Sequence, residues 1–362
     1  MKSALAPPLL GLLAAKAASA AVALAMGLSP LRAATWVRWD SGIYLAIAQR
    51  GYFVDPCGPG SGMPATAWCG DTAWFPAYSW LMAAAARLGL DPAGAGALLS
   101  LACHAGALVV LWNLFLREAP APGRVLALGL AAFFPGSIYY QAVFPISLFL
   151  LAALVFLWAV ARERPVLGAA AGLVAAASYS SGFLLCPIAV AWGLFRRRPA
   201  RGWALPAIGV VAGVALVLLA MRLQTMRWNA LALGQSAYGY SFDPVDAFFA
   251  RLKPLVNARY RTATTFATAS QTLFVFVLAV ASFAAALRGR SRGALGAIAL
   301  LYCGAYYALP LSVGGRISLH RSESLLLPLV LFVPERLRAV AVPVAAALFL
   351  ALSAAFFAGT IV

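Results

Sequence analysis

The chain has 362 residues, of which 64% are hydrophobic and 10% charged, and a formal net charge of +17 carried almost wholly by arginine. Soluble globular chains are about half apolar and a quarter charged, so a large soluble domain is excluded. The basic excess would suggest nucleic acid in a soluble protein. Here it clusters in short breaks between apolar runs, where orientation and lipid phosphate account for it, and nucleic-acid binding is not expected.

Mean hydropathy is +0.89. Apolar runs of about 15–22 residues recur along the chain, long enough to cross a hydrocarbon core of about 30 Å as helices. The run from Leu9 to Leu31 follows Lys2 and could pass for a cleaved signal. Its length, broken by a Lys16 that can snorkel, favours a retained first helix.

Basic breaks follow at Arg117–Arg124, Arg162–Arg164, Arg196–Arg201, Arg288–Arg292 and Arg336–Arg338. Two long breaks, about 32–92 and about 223–267, hold most other polar residues, and a shorter one covers Gly314–Ser324. A cytoplasmic N-terminus places every short basic break inside, with fourteen basic residues against Glu118, Glu163 and Glu335, and both long segments outside. This requires Trp74–Leu90 to be an interfacial or re-entrant helix. The expectation is an all-α polytopic protein, one domain over 1–362, with about eleven transmembrane helices. They fall near 9–29, 95–116, 125–141, 146–161, 166–180, 183–195, 203–222, 268–287, 294–312, 323–334 and 338–358.

The first outer loop begins Trp36-Val-Arg-Trp-Asp-Ser-Gly-Ile-Tyr44. Trp36, Trp39, Ile43, Ile47 and Arg50 share a helical stripe, as do Asp40 and Tyr44, which fits an amphipathic helix on the outer surface. Asp40 then lies at the water–lipid boundary between indole rings. Partial desolvation strengthens a carboxylate as a base, whereas an anchor helix with an acidic cap is the plainer alternative. Cys57 and Cys69 lie in the same Gly/Pro-rich loop, and an oxidising compartment would let them bridge. Cys103, Cys186 and Cys303 sit singly in apolar runs, as packers. With no CxxC pair, and His104 far from His320, no zinc site is expected.

Phe134–Gln141 and Ser178–Gly182 carry polar groups that cannot face lipid unsatisfied. Either they are kinks and turns, or they line a recessed outer cavity. In the second outer loop, Asp243 can cap a helix starting at Pro244. That helix would dip Phe248, Phe249 and Leu252 into the interface and bring Arg251 and Lys253 to headgroups. No Gly-rich nucleotide loop or Walker motif is present, which disfavours nucleotide sugars and ATP-driven transport.

The segment Arg38-Trp-Asp-Ser-Gly-Ile-Tyr-Leu-Ala-Ile-Ala-Gln-Arg-Gly-Tyr52 resembles the first-loop motif of the PIG-V-like mannosyltransferases. These are polytopic enzymes of the GT-C glycosyltransferase class, related to the second mannosyltransferase of GPI-anchor synthesis. Trp74-Phe-Pro-Ala-Tyr78 is similar to the family's Phe-Phe-Pro-Leu-Tyr. Phe134-Pro-Gly-Ser, Ala142–Phe149 and Ser318-Leu-His-Arg321 occupy the places of its later segments. The family's Glu is replaced in Phe144-Pro-Ile-Ser147, and its Thr-Arg-Pro segment reads Ser178-Tyr-Ser-Ser-Gly182.

The resemblance implies transfer of mannose, with inversion, from a polyprenyl-phosphate sugar to an unidentified hydroxyl of a lipid, glycan or protein. The reaction would take place at the non-cytoplasmic face of a bacterial plasma membrane. It implies Asp40 as general base, and Arg38, Trp39, Tyr44, Tyr52, Trp74, Phe75, Arg316, His320 and Arg321 around the substrates. The lipid-phosphate sugar is a substrate, and neither a cofactor nor a divalent metal is required. The leaving phosphate needs cationic stabilisation. Arg316, His320 and Arg321 are the first outer candidates for it, with Arg222, Arg227, Arg259 and Arg261 behind them. A non-enzymatic lipid or glycan transporter would use the same outer cavity. Such a protein would be expected to show related halves or acids deep in its helices. No clear repeat is seen, and no Asp or Glu lies in the middle of an apolar run.

Overall fold

The computed structural model describes residues 5–58, 67–236, 242–290, 293–313 and 318–361. Six helices are long and apolar enough to cross a membrane: Ala6–Ala25, Pro92–Phe115, Ala200–Thr225, Ala263–Arg288, Gly293–Ser312 and Glu335–Phe357. The α-helical parts of these are α1 (Ala6–Ala25), α4 (Pro92–Val110), α9 (Ala200–Thr225), α12 (Ala263–Ala285), α13 (Gly293–Ser312) and α15 (Glu335–Phe357). Shorter apolar helices stand among them: α5 (Ala121–Ala132), α6 (Ile146–Ala161), α7 (Pro165–Ser178) and α8 (Leu185–Phe195). The protein is an all-α membrane protein, apart from one small hairpin described below.

Helix α6 is the centre of the bundle. It is apolar on every side and buried along almost its whole length, as a helix with no polar face must be. Helices α7 and α9 pack closest. Gly168 and Gly172 on α7 meet Pro206 and Val210, and Gly209 and Gly213 on α9 meet the backbone of Ala169 and Leu173. A Cβ at any of these four would collide with the facing helix, so the two small-xxx-small ridges set the close approach.

Two apolar runs that read as crossings are not continuous helices. The run 125–141 is helical only to Ala132, because Pro135 cannot continue the ladder and Gly136 turns left-handed at φ 81°. The chain then packs as buried 3-10 turn, with Phe134, Ile138, Tyr139 and Tyr140 all in the core. The run 323–334 is likewise broken into α14 (Leu319–Ser324) and a 3-10 turn over Leu327–Leu331 that contains Pro328. Tyr140 and Tyr302 donate to the carbonyls of Ser324 and Leu325, which the break frees.

The first long loop folds into α2 (Ser41–Arg50), an antiparallel hairpin and α3 (Ala77–Arg87). The hairpin pairs β1 (Val54–Pro56) with β2 (Trp68–Gly70), Asp55 opposite Cys69, and the Cys57–Cys69 disulfide closes it. The loop is therefore not purely helical, since the covalent link holds two short extended segments together.

The second long loop carries α10 (Ala230–Ser236) and α11 (Pro244–Val256), the latter capped by Asp243, which accepts from the Asp246 N–H at 3.1 Å. Helix α11 is rotated from the expected pose. Phe248 faces inward against Phe276 of α12, ring centroids 5.0 Å apart, and Arg251 is half-buried. Val245, Phe249 and Val256 are the exposed apolar residues. Packing on α12 takes the Phe248 face and leaves Arg251 half-buried at its side. Lys16 reaches towards the first outer loop, its Nζ 3.2 Å from the centroid of the Trp36 ring.

Candidate functional site

Asp40 precedes α2 in a tight turn. The Ser41 N–H donates to the Arg38 carbonyl at 3.0 Å, and the Arg38 N–H to Ser41 Oγ at 3.1 Å. Between them Trp39 takes a left-handed φ of 48°. For a bulky residue that conformation costs about 1–3 kcal/mol and persists only where its surroundings enforce it. The turn leaves Trp39 exposed and sends Asp40 inward. Helix α2 then buries Ser41, Tyr44 and Ile47 against the bundle. This is not the stripe of Trp36, Trp39, Ile43, Ile47 and Arg50 that an uninterrupted helix would present, because Trp36 belongs to a separate 3-10 turn.

Asp40 Oδ2 forms an ion pair with Arg321 Nη1, and Arg321 Nη2 donates to Ser318 Oγ at 2.7 Å. The two side chains are 24% and 19% exposed, and the exposed part faces a cavity of about 480 Å³. Tyr44, Trp74, Phe75, Tyr179 and Tyr306 supply aromatic walls. Ser180, Ser181 and Ser318 add hydroxyls, and Phe183, Val214, Leu309 and Val313 complete an apolar side. Burial, with Asp40 beside it, holds the Tyr44 phenol well above its ordinary range, so it stays neutral.

Each wall is fixed from behind. Trp74 is held by the Tyr52 hydroxyl, which donates to its carbonyl at 2.7 Å. The Tyr52 N–H in turn donates to Gln224 of α9 at 2.6 Å. Asp71 is 2% exposed, accepts from the Phe53 N–H at 2.9 Å and pairs with Arg50 at 3.0 Å. Burial pushes its carboxyl up, a shift opposed by the Phe53 bond and by Arg50. Thr72 donates to the Ala230 carbonyl at 2.7 Å, so the segment before Trp74 and Phe75 is tied to α10.

Helix α14, which carries Arg321, is anchored on its inner side. Gln271 of α12 donates to the His320 carbonyl at 2.7 Å and to Glu323 Oε2 at 2.9 Å. Gln271 and Glu323 are 0% and 1% exposed. Gly136 fits beneath: a Cβ there would stand 2.9 Å from Ser324 Cβ and 3.1 Å from the His320 carbonyl.

Of the residues singled out in the sequence, Asp40, Tyr44, Trp74, Phe75 and Arg321 come together on this cavity. Tyr52 supports it from outside. Arg38 does not face it: its guanidinium donates to the carbonyls of Ala34, Val37 and Phe357, bracing the loop against the end of α15. Trp39 points outward, and His320 is buried beside Tyr139, ring centroids 5.8 Å apart, because α14 presents Arg321 to the cavity and His320 to the core. Arg316 lies outside the described residues. None of Arg222, Arg227, Arg259 and Arg261 lines the cavity; Arg227 covers Trp68, and Arg261 bonds the carbonyls of Pro254 and Leu255.

Tyr306, Gln235 and Glu323 were not anticipated. Tyr306 and Gln235 lie on helices whose facing is set by packing. Glu323 sits at the edge of an apolar run, and its burial follows from packing against Gln271 of α12. Ser180 and Ser181 belong to the polar interruption already suspected of lining a cavity. Among the described residues no group of three or more His, Cys, Asp or Glu side chains could hold a metal ion. No protein-family model matches the chain, and no curated protein matches it.

Proposed function

We propose that the protein is a membrane glycosyltransferase moving a sugar, mannose by the first-loop resemblance, from a polyprenyl phosphate to an acceptor hydroxyl, with inversion. The observation that carries this reading is the Asp40–Arg321 ion pair on the wall of a partly aromatic cavity. It joins the strongest motif of the sequence to a cation near 280 positions later.

In the proposed step the acceptor hydroxyl gives its proton to Asp40 as its oxygen forms the new bond to the anomeric carbon. The bond from that carbon to the phosphate oxygen breaks, and its electron pair leaves with the phosphate, whose charge Arg321 neutralises. Arrival of the donor phosphate draws Arg321 off Asp40, which frees the carboxylate to act as a base. Aromatic walls suit a sugar ring, and the apolar side suits the start of a prenyl chain.

Eleven crossings accompany this reading: α1, α4 to α9, α12, α13, the broken segment from α14 to Leu331, and α15. With the N-terminus inside, Asp40 opens to the non-cytoplasmic face of a bacterial plasma membrane. The Cys57–Cys69 disulfide supports an oxidising compartment there.

Incubating the purified protein with labelled polyprenyl-phosphate mannose and membrane extract tests the proposal. A labelled product that disappears with Asp40→Asn supports it, and label left wholly in the donor refutes it. A second reading is passage of a lipid or glycan without transfer, for which the supporting observation is the acid Glu323 buried within the helix bundle. Movement of labelled lipid across proteoliposomes, without a new glycosidic product, would select that reading.

A further inference from the structure

A second cavity, of about 370 Å³, lies at the opposite end of the bundle. Its walls come from the starts of α5 and α15, the end of α12 and the segment after α14. Helix α15 sets the separation: its far end packs Phe357 against Trp36 near the Asp40 turn, and its first turn, about 35 Å away, borders this cavity. The short arginine-rich turns of the sequence occur at this end.

We infer that this cavity binds the phosphodiester headgroup of a membrane phospholipid. Arg338 forms its base. It is 2% exposed and is oriented by donating to the carbonyls of Gly123 at 2.8 Å and Leu331 at 3.1 Å. The peptide dipoles of two helices, α5 and α15, start at the same walls and favour negative charge there. Leu331 and Phe332 offer an apolar flank for the first methylenes of an acyl chain. Arg336 and Arg288 are exposed nearby in the chain, and basic pockets between membrane helices recognise lipid headgroups through such charges.

Glu335, at the mouth, does not oppose this. Its carboxyl and the Arg338 guanidinium converge on Gly123, where a Cβ would meet each at 3.4 Å. An acid beside a cation matches a headgroup with an ammonium or hydroxyls beyond its phosphate. The volume falls in the range of about 300–1,000 Å³ that takes a small molecule, and exceeds what a lone phosphate fills.

Native mass spectrometry of the full chain in detergent tests the inference, with phosphatidylglycerol, phosphatidylethanolamine or inorganic phosphate offered separately. One phospholipid is expected to remain per chain, with affinity reduced at least tenfold by Arg338→Gln and by Ala286→Trp, which fills the cavity without removing a charge. Thermal melting of each variant establishes that it is folded. If Arg338→Gln does not fold, Ala286→Trp decides. Unchanged retention in the folded variants, a wild-type chain that keeps no phospholipid, or binding of inorganic phosphate with no lipid would each overturn the site.

Discussion

Asp40 and Arg321 stand 281 positions apart and share one ion pair, with Ser318 holding the other arm of the guanidinium. Because the pair is only about a fifth exposed, the guanidinium is held aimed at the cavity, as the proposed neutralisation of a leaving phosphate requires. Asp40→Asn is expected to lower transfer from a polyprenyl-phosphate sugar by about 10²–10⁴-fold, since an amide cannot take the proton. Removing one partner of a buried pair costs about 3–5 kcal/mol at most, less where a fifth of it meets solvent, so a thermal melt establishes that the variant is folded. Turnover at the wild-type rate would end the case for Asp40 as base.

Arg321→Lys separates charge from geometry. A lysine keeps the positive charge but cannot fork between Asp40 and Ser318. The expected result is a KM for the lipid donor raised by about tenfold with a smaller change in kcat, whereas Arg321→Gln raises KM further and lowers kcat. Equal effects of the two substitutions would show that the charge itself has no role.

The disulfide stabilises the hairpin from which Trp74 and Phe75 emerge. Its twelve-residue separation corresponds to about 2–3 kcal/mol of restricted unfolded chain. Cys57→Ser with Cys69→Ser should lower the melting temperature, and reductant should lower the wild-type value to match. A melting curve indifferent to reductant would contradict this.

Asp71 imposes a pH dependence. Burial raises its folded-state pKa above the unfolded value of about 3.9. Between those two values the folded chain holds more protons than the unfolded chain, so stability falls as pH rises through that window. Asp71→Asn, which can still accept from Phe53, should flatten the slope in melts run upward from pH 4. A wild-type slope of the opposite sign from this site would refute the assignment.

Gln271→Leu removes the donor to Glu323 and to the His320 carbonyl. Leaving buried acceptors unsatisfied costs about 1–3 kcal/mol each. Chemical denaturation should register the loss, and Gly136→Ala should add a comparable defect through its left-handed φ and its contact with Ser324. A fully stable Gln271→Leu variant would mean that α14 is anchored elsewhere.

The membrane class was legible in composition, and the helix ends in the arginine and proline breaks, because hydropathy and backbone chemistry act locally. The same local rules marked Asp243 as a cap and Asp40 as an interfacial acid, whereas Arg321 stood out only through the resemblance of Ser318-Leu-His-Arg321. Helix facing was not legible. Which side of α11 carries Phe248 inward, and which side of α14 gives Arg321 rather than His320 to the cavity, depends on neighbours distant in sequence. The stripe drawn through Trp39 failed for a related reason: one residue at φ 48° resets the helical phase.

Sequence alone determined that the chain is apolar enough to need a bilayer and that its first loop carries a base candidate. Only the tertiary structure brought Arg321 to Asp40, closed Trp74 and Tyr179 around them and buried Glu323 behind. Those are contacts between segments that share no local pattern, made when the helices pack and the pairing of charges becomes cheaper than solvating them apart.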